Sequence, residues 1–153
     1  MKERHEILFN QLASYRNTTL SLLKDVTAED AEIIPNKFNN NIRWNMGHIY
    51  LDQYLWIETQ TKERINVPSE FNSWFGYGTS PTSFTSKTPS YEELKVLLEN
   101  QIEDIKEKYA SKLEIKYSPT EMGMNTIEQV LIRTIFHEGI HFQTILNLKK
   151  LIK

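Results

Sequence analysis

Residues 126–151 read TIEQVLIRTIFHEGIHFQTILNLKKL, and this stretch decides the fold class. Thr126 followed three residues later by Gln129 is a capping box, the pairing that satisfies the free N–H groups at a helix start. It predicts a helix from 126 to about 151, amphipathic and therefore in need of partners. Two histidines, His137 and His141, stand four residues apart in it, on one helical face.

Working outward, three more helices of the same kind are predicted. The first spans about residues 2–24, with Leu8, Leu12, Tyr15, Thr19, Leu22 and Val26 at three- and four-residue spacing. A short threonine-capped turn follows at 27–30 and stops at Pro35. The second long helix starts near Asn41, a good cap, and runs to about Thr61, with Trp44, His48, Leu51, Leu55 and Glu58 on one side. The third starts at Ser90, boxed with Glu93, carries Leu94, Leu98, Gln101, Ile105 and Tyr109, and ends near Leu113. A polar connection through Pro119 and Gly123 leads to the last helix.

Residues 62–89 are different. Pro68, Gly76, Gly78, Pro81 and Pro89 among many Ser and Thr argue against a continuous helix. Phe71, Trp74, Phe75, Tyr77 and Phe84 argue against a disordered linker, so this segment is expected to pack down. Four helices with one connection much longer than the others predict an all-α four-helix bundle. The long connection can carry the chain back along the bundle, which gives an up-down-down-up order with a crossover between the second and third long helices. The whole of 1–153 reads as a single domain.

Composition narrows the function classes. The chain has 153 residues, 39% hydrophobic and 25% charged, with a formal net charge of -2. That balance lacks the basic field that nucleic acid binding needs. There is no cysteine, so disulfides, thiolate metal sites and cysteine nucleophiles are excluded. The first residues, MKERHEILFNQLASYRN, contain no signal-peptide core, and no apolar run is long enough to span a membrane. The expected location is cytoplasmic.

The chemistry concentrates in His137-Glu138-Gly139-Ile140-His141. Two imidazoles one turn apart can bind one metal ion, as in the HExxH metalloproteases. Residues 142–153 hold no His, Glu or Asp, so the downstream third ligand of those proteases is missing there. Of the remaining histidines, His5 sits in a charged first turn and reads as a surface residue, while His48 lies among aromatic and aliphatic neighbours. His48, His137 and His141 are the expected ligands. Three imidazoles with open positions make a catalytic type of site, against the plainer reading of His48 as a hydrogen-bonded core residue. Glu138 and Arg133 are the candidate catalytic side chains. Glu138, about 100° around the helix from His137, either reaches a metal-bound water or bonds a neighbouring helix and orients a histidine. Arg133, one turn before His137, either binds a substrate carboxylate or pairs with an acid inside the bundle. Gly47 and Gly139 lie inside helices, where glycine costs about 1 kcal/mol against alanine; each would leave space for close helix packing or for a ligand.

Together, Asn41-Ile42-Arg43-Trp44-Asn45-Met46-Gly47-His48-Ile49 and His137-Glu138-Gly139-Ile140-His141 resemble the signatures of the DinB-like superfamily. The resemblance extends to order and spacing across most of the chain, including Thr126 ahead of the last helix. It departs after Phe142, where Gln143-Thr144 stand in place of a glycine and a glutamine. It implies a four-helix bundle with a three-histidine metal site at His48, His137 and His141. It further implies a thiol S-transferase using bacillithiol, mycothiol or glutathione, or a metal-dependent hydrolase, and a homodimer.

The leading expectation is therefore an enzyme whose one divalent transition metal activates a small-molecule thiol of the bacillithiol type. Zinc or nickel is expected first, then iron or manganese. Water activated at the same metal would give a hydrolase instead. A non-catalytic metal-binding or stress-response module is the reading from a different class. Neither nucleic acid nor membrane is an expected partner.

Overall fold

The computed structural model describes residues 1–152. Among these residues there are six α-helices and no strand: α1 (Glu3–Ser21), α2 (Ala28–Glu32), α3 (Ile42–Thr61), α4 (Glu70–Phe75), α5 (Tyr91–Tyr109) and α6 (Ile127–Ile152). None of the helices is long and apolar enough to cross a membrane.

The caps explain most of the helix starts. Asn41 Oδ1 accepts the Trp44 N–H at 2.8 Å. Ser90 and Glu93 form a reciprocal box, and so do Thr27 and Asp30. The box before α6 is offset by one residue. Thr126 Oγ1 accepts from Gln129 N, but Gln129 Oε1 takes the N–H of Asn125. Two helix ends, those of α1 and α5, fall earlier than expected. α1 stops at Ser21 because the Leu22 and Leu23 N–H groups turn back three residues, to Thr19 and Leu20, and this tighter turn carries Leu23 into the core. α5 stops at Tyr109 and continues as a 3-10 turn over Ala110–Lys112.

The segment 62–89 contains α4 and a 3-10 turn at Pro81–Ser83. Phe71, Trp74 and Phe75 are buried in one cluster with Tyr50 and Leu51 of α3. Tyr77 is the exception, 98% exposed at the tip.

The face of α1 differs from its expected stripe. Tyr15 is exposed, and Arg16 beside it is buried, with 2% of its surface accessible. His5, expected at the surface, is 4% exposed and faces Glu128 at 3.4 Å. The buried face of α1 thus contains a histidine and an arginine that the expected stripe did not include.

Pairings along the helices show how they lie. Arg4 meets Glu128, Arg16 meets Glu138 and Asp25 meets Lys149, so α1 and α6 run in the same sense. Asn45 meets His141, His48 meets His137 and Gln53 meets Thr134, so α3 and α6 run oppositely. Arg43 reaches Pro89 O and Gln101 reaches Tyr50 O, so α3 and α5 agree in direction.

The core is divided in two. One apolar cluster holds Leu23, Ile49, Leu51, Phe75, Leu94, Leu98, Ile145 and Leu148. The other holds Leu8, Phe9, Leu12, Ile57, Ile105, Ile127, Val130 and Leu131. Between them every long helix contributes buried polar residues: Arg16 and Thr19 near the end of α1, Gln53 of α3, Gln101 of α5, and Thr134 and Glu138 of α6.

Candidate metal centre

α3 and α6 cross where each carries histidine. His48, His137 and His141 each offer one ring nitrogen, and these nitrogens lie within 4.8 Å of one another. His48 Nε2 is 3.0 Å from His137 Nε2. The three sequence-predicted ligands are thus brought together, and the group could hold a metal ion.

The opposite nitrogens decide where the protons are. His48 Nδ1 lies 2.7 Å from the carbonyl oxygen of Phe75. A carbonyl only accepts, so His48 Nδ1 carries the proton and Nε2 keeps its lone pair. His141 Nδ1 lies 2.8 Å from Asn45 Oδ1. The Asn45 amide is oriented by its Nδ2, which donates to Asn40 Oδ1 and to Asn41 O, leaving its oxygen for His141. His137 Nδ1 faces Asp52 Oδ2 at 3.0 Å, although without the alignment of a completed hydrogen bond. His48 and His141, with Nδ1 donating outward, therefore keep an unprotonated Nε2, and His137 Nε2 lies 3.0 Å from that of His48. Acceptors on the far nitrogens of ligating histidines are the usual means of setting tautomer and ring orientation.

Electrostatics agrees. Burial, then the nearness of His141, His48 and Arg133, holds His137 down to about 3. Burial, then His48, holds His141 down to about 4. Burial lowers His48 too, against the hydrogen bond to Phe75. At neutral pH the rings are therefore uncharged, and the 3.0 Å contact between His48 Nε2 and His137 Nε2 is met by one proton, on His137 Nε2, or by a cation bound to both nitrogens in its place. Two imidazole nitrogens about 2.0–2.1 Å from one metal and at right angles stand about 2.9 Å apart, close to the observed spacing. The donor set suits zinc, nickel, iron and copper alike.

Trp44 stacks on His48 with centroids 4.7 Å apart and planes at 11°. Its indole N–H is tied to Thr79 of the long connection at 3.0 Å. Gly47 makes room for this approach: a Cβ there would stand 2.2 Å from the Phe75 ring. Around Gly139, by contrast, no described atom lies within 4 Å of such a Cβ.

The two other sequence-predicted residues lie on either side of the histidines. The Arg133 guanidinium covers the Trp56 ring at 3.9 Å, and its Nη1 is 3.8 Å from Asp52 Oδ2. Both of these atoms are buried and neither completes a hydrogen bond among the described residues. Burial raises Asp52 to about 6, against the pull of Arg133 and of Trp56. Glu138 turns the other way. It is buried against α1, where Arg16 and Thr19 hold its carboxylate. Asn45, Asp52 and the Phe75 carbonyl were missed in the sequence. The signal for two of them was present: Asn45, His48 and Asp52 are three and four residues apart, hence on one face.

Grooves occur elsewhere, one of 520 Å³ beside α3 lined by Leu51, Leu55, Lys62 and Arg64 among others, and none of the three histidines lines it. A second group that could hold a metal, His5, Glu114 and Glu128, has its two carboxylates already paired with Lys2 and Arg4, whereas among the described residues no cation pairs with the three converging histidines.

The family description of the DinB superfamily matches residues 11–145. No curated protein matches the chain.

Proposed function

The chain belongs to the DinB superfamily, and from that premise we propose that it is a metal-dependent enzyme in which His48, His137 and His141 hold one divalent transition metal. The observation that carries this reading is the set of inward Nε2 atoms whose far nitrogens face acceptors. Such an arrangement leaves coordination positions open, which suits catalysis better than a closed structural site.

A divalent metal at this position would lower the pKa of a bound thiol or water. The protein's own part is to hold and orient. Phe75 O, Asn45 and Asp52 face the far side of the three rings, Trp44 backs His48, and Arg133 adds positive charge beside His137 that favours an anionic nucleophile. The chain has no cysteine, so a thiol nucleophile must be brought by a small molecule. We therefore favour thiol S-transfer with a bacillithiol-type thiol: the S–H proton passes to solvent, sulfur bonds to an electrophilic carbon, and the bond from that carbon to its leaving group breaks, the leaving group departing with the electron pair. The finer architecture belongs to the same proposal. The senses of α1, α3, α5 and α6 support a four-helix bundle in up-down-down-up order, with residues 62–89 as the crossover.

The test is metal-loaded protein incubated with a low-molecular-weight thiol and monobromobimane, beside metal-free protein and a His48→Ala variant. Adduct formation that needs both metal and His48 is the expected result. Metal-dependent ester hydrolysis without adduct would replace thiol transfer by water activation. Metal bound with neither activity would leave a binding module.

A further inference from the structure

The polar layer between the two apolar clusters is unusual in being complete. Arg16 is an arginine inside the core, and all five of its N–H groups are used. Nε donates to Glu138 at 3.0 Å. Nη1 donates to Leu98 O and to Gln101 Oε1, both at 2.9 Å. Nη2 donates to Glu138 Oε1 at 2.8 Å and to Gln53 Oε1 at 3.3 Å. The other Glu138 oxygen takes the Thr19 hydroxyl at 2.9 Å. Gln53 passes on to Thr134, and Gln101 to Tyr50 O. Each of the four long helices contributes to one network.

Two consequences follow for Glu138. Its oxygens are engaged with Arg16 and Thr19, on the α1 side of α6, while the histidines face α3. And it is the residue next to His137, so its position and that of the metal ligands are one rigid unit of α6. A turn of α6 that carried His137 and His141 away from Asp52 and Asn45 would also pull Glu138 out of the Arg16 fork. A slip by one residue would move it about 1.5 Å along the axis with the same effect. Apolar packing on either side resists such slips weakly, because it is non-directional. A bidentate ion pair resists them through its geometry.

We infer that Arg16 and Glu138 are positioning residues for the three-histidine site: the buried pair sets the rotation and height of α6 so that His137 and His141 meet His48. The glutamate of the H-E-x-x-H sequence then acts through the helix, with no contact to substrate. This rests on the metal reading above and adds to it the device that builds the site.

Replacing both partners by apolar residues of similar size separates positioning from stability, since such replacements of buried pairs are often neutral or stabilising. Cobalt(II) is the probe, because its visible spectrum reports its ligands. In Arg16→Met/Glu138→Met, the expected result is helical protein, destabilised no more than Leu8→Ala by the acceptors of Leu98, Gln101 and Gln53 that Arg16 leaves behind, with a cobalt affinity at least tenfold weaker and a changed spectrum. A Leu8→Ala variant, destabilised in the far apolar cluster, should keep the wild-type affinity. If the double variant loses its helical signal, Arg16→Lys serves in its place: it keeps the charge but not the fork, and should weaken cobalt binding while remaining folded. Wild-type affinity and spectrum in whichever variant folds would overturn the positioning role while leaving the metal site intact. Failure of the wild-type protein to bind cobalt, zinc or nickel would overturn the metal reading first, and this inference with it.

Discussion

α6 presents two polar clusters on neighbouring faces, one toward α1 and one toward α3, and they are built on opposite rules. Toward α1, the Arg16–Glu138 cluster is closed: every Arg16 donor has an acceptor, and both Glu138 oxygens are held. Toward α3, the histidine cluster is open. His48 Nε2 and His137 Nε2 stand 3.0 Å apart with only each other as partner, and Asp52 Oδ2 and Arg133 Nη1 are buried with no hydrogen bond completed among the described residues. A buried polar group without a partner costs about 1–3 kcal/mol. A closed cluster repays burial within the fold, whereas an open one is consistent with a partner from outside it. The contrast separates a polar site complete in itself from a candidate ligand site on a single helix.

The largest effect should come from breaking the open side. His137→Ala removes one of three ligands, and metal content measured by mass spectrometry should drop from about one ion per chain to almost none. Equal metal in both proteins would show that the metal sits elsewhere. Breaking the closed side should instead cost stability. Glu138→Leu strands the Arg16 charge in the core, which costs about 3–5 kcal/mol. For a chain of this size that corresponds to a melting temperature lower by roughly 10–15 °C. A shift of only a degree or two would mean that Arg16 finds water or another acceptor, and that the cluster is less closed than its contacts imply.

These two sides were not equally legible in the sequence. The histidines were, because i and i+4 spacing on a capped helix is a strong local pattern and His48 stood among apolar neighbours. The long helices were legible through the same caps, Asn41, Ser90 and Thr126. Arg16 was not, since an arginine on an amphipathic helix is ordinarily assigned to water, and its burial depends on four partners far away in sequence: Gln53, Leu98, Gln101 and Glu138. The same holds for His5, whose counterpart Glu128 begins α6. Local periodicity identifies helices and faces; it does not identify which polar residue on a face will meet another across the core.

Acid should affect the open side before the closed one. In the metal-free protein, His137 and His141 are held to about 3 and 4, below the ordinary value near 6.5. Between pH 6.5 and 4 the unfolded chain therefore binds two protons that the folded chain refuses. Stability is full above pH 6.5 and falls as pH drops. Asp52 acts the other way: raised to about 6, it takes up a proton in the folded state and offsets part of the loss. These three groups leave a net of about one proton, and His48, also lowered by burial, adds to it, so stability should decline by at least about 1.4 kcal/mol per pH unit between pH 6 and 4. Urea titrations of metal-free protein at pH 7, 6, 5 and 4 check the slope. A flat profile would mean that the histidines are not held neutral by burial.

The smallest effects test how closely the two sides are packed. Gly47 lies behind His48, and its missing side chain leaves room for the Phe75 ring, 2.2 Å from where a Cβ would stand. Gly47→Ala gains about 1 kcal/mol of helix propensity but must displace a fully buried phenylalanine, and overpacking of that kind costs about 1–3 kcal/mol. The net should be destabilising. Because Phe75 O also holds His48 Nδ1, the same displacement should weaken metal binding. Gly139 sits between Glu138 and His141, with no described atom near its would-be Cβ. Gly139→Ala should therefore stabilise by up to about 1 kcal/mol and leave metal affinity unchanged. Two glycines beside two ligands of the same ion would then respond with opposite sign. If Gly139→Ala proved as costly as Gly47→Ala, the open ground beside α6 would have to be filled by something in solution, and the contrast between an occupied and an empty flank would fail.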